Sequence, residues 1–324
     1  MNKKLTALLV TGVLVSGLVA GCGGDKKADQ KPAAKQQFVN IATGGTAGTY
    51  YPIGGAMAEI LNKNIPGVNA SAQSTGASVA NVNLLATGKV DLAFVQNDIA
   101  YYALNGTEMF KDKKVANLKG IATLYPETVQ IITLQKSGIK KLSEAKGKRV
   151  AVGAAGSGVE ANARQVLEAN GITYSDIKVQ YLSFAEAAGA LKDGNVDIAF
   201  VTAGIPTAAI QDISTQNPVA LLSVDAQQAD GLIKKYPFYT KQVIPAKTYP
   251  GQEQDINTVA VKAMLVATDK MSDDLSYNIA KALYTNTDRL KSSHAIAKNI
   301  SKATATEGMS LPMAAGADKY FKEK

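Results

Sequence analysis

Two textures alternate along most of this chain. Short apolar runs rich in Val, Ile, Phe and Ala open after a glycine turn and close in small or polar residues. Between them lie longer stretches with apolar positions every three or four residues. One apolar run occurs twice: TGKVDLAFVQND (residues 87–98) and DGNVDIAFVTAG (residues 193–204) share Gly-x-Val-Asp-Φ-Ala-Phe-Val, where Φ is Leu or Ile. Each fits a buried strand whose C-terminal end opens onto a loop. The echo extends upstream, where FVNIATGGTAG (residues 38–48) and KRVAVGAAGSG (residues 148–158) are short strands running into small-residue loops. The spacing predicts helices over residues 51–62 and 159–169 behind those loops. Second helices are expected in ASVANVNLLATG (residues 77–88) and FAEAAGALKDG (residues 184–194).

Each half therefore reads β–loop–α–β–α–β, the alternation of a parallel α/β sheet. Two such halves, with glycine loops at strand C-terminal ends, place a site between them. After residue 224 the pattern changes. INTVAVKAMLVAT (residues 256–268) reads as another strand, and MSDDLSYNIAKALYTNT (residues 271–287) as a helix capped by Ser272 with two acids in its first turn. The expected organisation is a first lobe of residues 38–134 plus 225–324 and a second of residues 135–224. The hinge then lies in two crossing segments near Leu134 and Val224.

The N-terminus is of another kind. Lys3 and Lys4 precede an uncharged apolar stretch over residues 5–19, too short for a membrane span, and LVAGC ends it at Cys22. Residues 1–21 thus read as a signal peptide. Cys22 is the only cysteine of the 324 residues, so no disulfide can form within one molecule. LVAGC resembles the lipobox of bacterial lipoproteins, which implies cleavage before Cys22 and lipidation of its sulfur, and so an extracytoplasmic protein hung from a membrane. Residues 22–37 are polar and Lys-rich, a flexible tether.

Charge adds little. The formal net charge is +8, but Lys3 and Lys4 leave with the leader and the tether carries four lysines against two aspartates, which leaves the body at about +4. No basic run is interleaved with aromatics and there is no tryptophan, so nothing marks a nucleic-acid partner.

The glycine loops suit recognition better than reaction. IATGGTAGTYYPIGGAMAEI (residues 41–60) lacks the Gly-Lys-Ser/Thr of a phosphate loop, and its glycines are not at dinucleotide spacing. The single histidine, His294, lies in a separate amphipathic stretch and reads as a surface or cap residue. No triad, zinc cluster or cysteine nucleophile can be assembled, so neither an enzyme activity, a cofactor nor a metal is expected. Asp91 and Asp197 occupy equivalent turn-to-strand positions and read as structural. Of three arginines, Arg149 precedes its strand, Arg164 lies more than a turn into its helix and Arg289 is remote. Loop N–H groups, helix N-termini and hydroxyls (Thr46, Thr49, Tyr50, Tyr51, Ser74, Thr75, Ser78, Ser157) are left to hold a small carboxylate.

Several of these stretches together, from TGGTAGTYYPIGGAMAEIL through STGASVANVNLL, GKVDLAFVQND and GNVDIAFVTAGIPTAAI to LPMAAGADKYFKE, resemble the TAXI family of solute receptors of TRAP transporters. The resemblance implies a periplasmic-binding-protein-like fold, type II-like, with two lobes, each a mostly parallel sheet flanked by helices, and the ligand cleft between them. It implies hinge closure over a small carboxylate, such as glutamate, glutamine or a dicarboxylate, and delivery to an ion-gradient-driven membrane permease. Matching positions for the ligand are Gly45, Thr46, Thr49, Tyr50, Ser74, Thr75, Ser78, Gln96, Tyr125, Gly156, Ser157, Gly158, Ala203 and Gly204. Two departures stand out: Ala47 replaces a usual glycine, and Ala314 and Ala315 stand where His and Pro are common. Three other readings remain. They are the binding protein of an ABC transporter, a ligand-sensing partner of a membrane sensor kinase, and an enzyme such as a tetrapyrrole-forming deaminase, which needs a cofactor-bearing cysteine.

Overall fold

The computed structural model describes residues 36–323. The leader, the Cys22 lipid site and most of the tether fall outside them. The first strand begins inside the segment expected as tether: β1 spans Gln37–Ala42 and is followed by α1 (Tyr50–Asn64), β2 (Val68–Gln73), α2 (Ser78–Ala86), β3 (Leu92–Gln96) and α3 (Asn97–Asn105). Next comes a long strand, β4 (Leu118–Leu134). The motif then repeats as β5 (Arg149–Ala151), α4 (Gly158–Ala169), β6 (Lys178–Gln180), α5 (Phe184–Lys192), β7 (Ile198–Ala203) and α6 (Ala208–Gln216). The chain continues through β8 (Val219–Leu222), α7 (Ala226–Lys235), β9 (Thr240–Ile244), a second long strand β10 (Ile256–Thr268), α8 (Asp273–Thr285), α9 (Thr287–Ser293) and α10 (Ala315–Lys322).

The strand order is β2-β1-β3-β10-β4-β7-β5-β6, with β8 on β4 and β9 on β10. It reads the same from both ends. β1 pairs parallel with β2 and β3, and β5 pairs parallel with β6 and β7. The long strands join antiparallel at the centre, each also bordering one half, β10 on β3 and β4 on β7. Helices cover the sheet, giving an α/β fold of two lobes that share β4 and β10.

The long strands contribute to two buried clusters. Val129 and Ile131 of β4, Leu232 of α7, Tyr239, and Val259 and Val261 of β10 share a core with β5, α4 and β7. Ile121, Leu124 and Tyr125 share one with β1, α1, α8 and α10, together with Ala263 and Leu265. The long strands thus pass from one cluster to the other near residues 126–128 and 261–263. Register shifts in the β4–β10 ladder lie just beside this point, between Ala263 and Met264, and Pro126 sits next to them. Pro126 itself stays in register opposite Lys262, whose N–H donates to Asn97 Oδ1 at 3.1 Å.

The repeated aspartates close the ladder at the starts of β3 and β7. Asn40 N–H donates to Asp91 Oδ2 at 2.8 Å, and Arg149 N–H donates to Asp197 Oδ2 at 2.8 Å. Arg149 adds a bidentate pair, Nε to Oδ2 at 3.0 Å and Nη2 to Oδ1 at 2.6 Å, which holds the Asp197 carboxyl below the usual carboxylate range. Ser272 caps α8 by accepting from Leu275 N–H. α10 lies tight on α8: a methyl on Gly316 would strike Ser276 and the Asp273 carbonyl. Ala314 N–H donates to Gly120 O at 2.9 Å, so the chain end is docked despite the Ala314–Ala315 departure.

Candidate functional site

The C-terminal ends of β1, β3, β5 and β7 converge on a cavity of about 390 Å³ between the lobes. From the first half come the loop after β1, the residues before α2 and the end of β3. From the second come the loop after β5, the start of α5 and the end of β7. Three hydrogen bonds tie the loops of one half to those of the other: Ala80 N–H to Gly156 O at 3.0 Å, Ala209 N–H to Ala47 O at 3.2 Å, and Thr49 Oγ1 to Gly204 O at 3.3 Å.

Most expected site residues line this cavity: Gly45, Thr46, Thr49, Tyr50, Ser74, Thr75, Ser78, Gln96, Ser157, Gly158 and Ala203. Three do not. Tyr125 is buried in the first core; Gly156 is exposed and spends its carbonyl on Ala80; Gly204 lies behind Thr49 and Ile296. Several hydroxyls also carry local duties. Ser74 Oγ donates to Gly44 O at 3.0 Å, Thr75 Oγ1 to Thr43 O at 2.9 Å, and Ser78 Oγ accepts from Gln96 N–H at 3.2 Å. Ala47 does not adopt a positive φ, so its methyl costs the loop nothing. His294 is closer to the loops than expected. Its Nδ1 accepts from Ile296 N–H at 3.1 Å, and Ile296 packs against Gly204; burial lowers its pKa.

The helices that point at the cavity differ by half. Ser157 caps α4 by accepting from Glu160 N–H, and Ser183 caps α5 by accepting from Glu186 N–H. The residue before α1, Thr49, makes no such bond because its hydroxyl reaches Gly204. The residue before α2, Ala77, has no capping atom and sits at φ 69°, ψ −149°. No side chain therefore caps α1 or α2; in α2 the Ala80 N–H is met by Gly156 O, and the third residue of α1, Pro52, has no N–H, which leaves Tyr50, Tyr51, Ser78 and Val79 as the uncapped donors.

The largest omission from the sequence reading is Glu127. It lies on β4 where the chain crosses between cores, is 2% exposed, and lines the cavity. Gln96 Nε2 donates to its Oε2 at 2.9 Å. Burial pushes its carboxyl up to about 8, against the pull of the Tyr50 and Gln96 donors beside it, and the nearby Asp98 adds to the rise. Thr202, Ser183, Phe184 and Glu186 also line the wall. No lysine, arginine or histidine does. Asp98 faces away, into a buried network: Asn162 Nδ2 donates to Asp98 Oδ2 at 3.0 Å and to Tyr239 Oη at 2.8 Å, and Tyr239 donates to Gln165. Burial raises Asp98 to about 7.

Arg164 is engaged away from the cavity with Glu108, at 3.2 Å. Among the described residues no cluster of three or more His, Cys, Asp or Glu side chains could hold a metal ion, and no helix is long and apolar enough to cross a membrane.

The family model described as the NMT1-like family matches residues 41–324. The chain belongs to the NMT1-like family. Solved structures similar to this NMT1-like protein include the alkanesulfonate-binding protein SsuA from Xanthomonas axonopodis pv. citri bound to MOPS. That match has a TM-score of 0.54 at 16% identity and covers 89% of this chain and 84% of that one. The periplasmic aliphatic sulphonate binding protein SsuA from Escherichia coli matches with a TM-score of 0.52 at 18% identity, covering 89% and 83%. A putative L-cystine ABC transporter protein from Listeria monocytogenes matches at 0.52 and 16%, covering 83% and 99%. The fold of the NMT1-like chain is thus that of periplasmic binding proteins.

Proposed function

We propose that this NMT1-like protein is an extracytoplasmic solute receptor, anchored through Cys22, whose two lobes close over a small carboxylate and release it to a membrane importer. The observation that carries this is the uncapped pair of helices. The N-termini of α1 and α2 both end in the interlobe cavity with no side-chain cap. The N–H groups of Tyr50 and Tyr51 in α1 and of Ser78 and Val79 in α2, with the positive ends of two helix dipoles, hold an anion without a basic side chain. The lobes are residues 37–125 with 263–323, and 129–259, joined by the two long strands. Contacts from both lobes favour the closed form when ligand is bound. On this reading the cavity binds its solute and catalyses nothing.

Two observations bear on the importer. Similar folds named for alkanesulfonate binding and for an L-cystine ABC transporter favour an ATP-driven partner. The TAXI-like motifs favour a TRAP permease driven by an ion gradient. Reconstitution with each class of permease, energised by ATP or by a sodium gradient, separates them by which one drives uptake.

The receptor itself is tested by a thermal-shift screen of amino acids, dicarboxylates and sulfonates, in which a ligand at a hundredfold its Kd stabilises by about 2.7 kcal/mol. With a carboxylate hit in hand, Tyr50→Phe and Ser157→Ala should each weaken binding by roughly 2- to 10-fold in calorimetry, the worth of one hydrogen bond. His294→Ala should not. Unchanged affinity in both loop variants would remove the site assignment.

A further inference from the structure

A buried polar seam joins the two halves away from the cavity. α4 of the second half lies on α3 of the first, and its Ala161 shares a buried cluster with Ile99 and Ala103. At the centre of the seam Asp98 of α3 and Asn162 of α4, both fully buried, are joined by one hydrogen bond, Asn162 Nδ2 to Asp98 Oδ2 at 3.0 Å. That bond leaves Asp98 Oδ1 and Asn162 Oδ1 buried with no partner. The amide is oriented from its other side. Its Nδ2 also donates to Tyr239 Oη at 2.8 Å, while the Tyr239 hydroxyl donates to Gln165 Oε1 at 2.7 Å and Gln165 Nε2 donates to Tyr102 Oη at 3.2 Å. Two unmet buried acceptors are costly, and an ionised carboxylate shut in beside them costs more. No cation offsets it. The titratable groups facing Asp98 are Tyr102 from α3, Tyr239 ahead of β9 and Glu127 from β4. Arg164 of α4 is engaged with Glu108, and Lys262 of β10 with Glu307.

We propose that Asp98 and Asn162 are a proton-operated clasp between the two halves. A proton on Asp98 Oδ1 meets both deficits at once: Oδ1 becomes a donor and Asn162 Oδ1 its acceptor, so acid and amide close on each other by two bonds. Without that proton one bond remains and a bare charge is shut in the seam. Burial, the largest influence, raises Asp98 to about 7, against the pull of the Ile99 N–H, the Asn162 amide and its own N–H. Once the seam opens to water, the carboxyl returns to its ordinary pKa of about 3.9. The proton therefore holds the seam shut in full below about pH 4, and the hold is lost as pH rises through about 7. The clasp does not depend on what the cavity binds. Where both halves hold a solute, as proposed above, affinity falls over the same pH range.

The test is amide hydrogen exchange on the mature protein without solute, followed from about pH 5 to about pH 8 and corrected for the intrinsic exchange rate. Protection in α3 and α4 should fall as pH rises, by up to about tenfold per unit and by more than about tenfold across the range. α8, which takes no part in the seam, is the internal reference and should not follow. Asp98→Asn keeps the size of the side chain and can pair amide to amide with Asn162, so it should show the same protection at every pH. Wild-type protection in α3 and α4 that does not change with pH overturns the clasp with no variant needed. A pH dependence that survives in Asp98→Asn also overturns it, because another group, such as Glu127, then carries the proton. Either result leaves the receptor reading standing, since that reading rests on the cavity and its helix N-termini.

Discussion

The two halves of this molecule share a frame and differ in how they finish it. β1–α1–β2–α2–β3 and β5–α4–β6–α5–β7 have the same pairing, and each closes its third strand with an aspartate accepting a backbone N–H from the first. At the cavity the equivalence ends. The second half caps both helices, with Ser157 and Ser183, and starts α4 at Gly158. The first half leaves both uncapped and starts α1 at Tyr50. The second half thus satisfies its helix starts from its own side chains. The first leaves the N–H groups of Tyr50, Tyr51, Ser78 and Val79 without a side-chain cap, at a cost of about 1 kcal/mol per missing cap. Donors withheld from the fold are the ones available to a ligand.

That contrast is broken most severely at Gly158. A methyl there would collide with Gln96 Oε1 and come within 3.1 Å of Ile99 Cγ1. Both neighbours belong to the other lobe, and Gln96 is held by Glu127. Gly158→Val should therefore cost about 1–3 kcal/mol by chemical denaturation, as overpacking of a tight core does. It should also weaken ligand binding, because Gln96 must move. Gly45→Ala, with nothing within 4 Å of the added methyl, is the matched control and should stay within about 0.5 kcal/mol. A Gly158→Val protein as stable and as competent as wild type would show that the lobes do not need this contact.

A smaller difference separates Asp197 from Asp91. Asp197 gains the Arg149 guanidinium, which lowers its pKa, chiefly through their hydrogen bonds. A carboxylate with a depressed folded pKa contributes stability above its unfolded pKa near 3.9 and loses it as pH falls through the folded value. Asp197→Asn should thus lower Tm at pH 7 more than Asp91→Asn does, and the gap should narrow as pH falls below about 4. The pair is partly exposed, at 24% and 38%, so the gap at pH 7 should be no more than about 1 kcal/mol. Equal losses at pH 7 would mean that the arginine contributes nothing beyond the shared backbone bond.

How much of this was legible in the sequence follows from what each residue type signals. The echo was legible because two buried strands with the same turn need the same residues, and the glycine loops with their hydroxyls pointed to most of the cavity wall. β4 was not legible. Gly120, Pro126 and Glu127 interrupt its apolar pattern, and two of them are explained only by partners distant in sequence: Gly120 by Met309 packed on it, Glu127 by Gln96. With β4 giving no clear strand signal, nothing in the sequence marks Glu127 as part of the cavity wall. An acid amid TLYPETVQII has one available signal, that the stretch around it is otherwise uncharged and mostly apolar. The capping contrast was half visible, because Ser157 and Ser183 stand where Thr49 and Ala77 do, but only geometry shows that Thr49 spends its hydroxyl across the cleft.

The finest test of the comparison is at Ala77. It occupies the place that Ser183 holds in the second half, yet it has φ 69° and ψ −149°, where an L side chain is strained and glycine is not. Its N–H is met by Thr75 Oγ1 at 3.1 Å, and Thr75 is itself fixed to Thr43 O, so the turn is over-determined from outside. Strain held this way sits beside the free N-terminus of α2 and sets where its donors point. Ala77→Gly should relieve it but also loosen the unfolded chain, and the two nearly cancel: the net change in stability should be within about 1 kcal/mol, on the stabilising side. Ligand affinity should fall slightly, because a glycine turn no longer holds the α2 donors in one direction. Ala77→Gly that destabilises by more than this would show that the methyl is packed, not strained, and that the uncapped end of α2 is an accident of the turn.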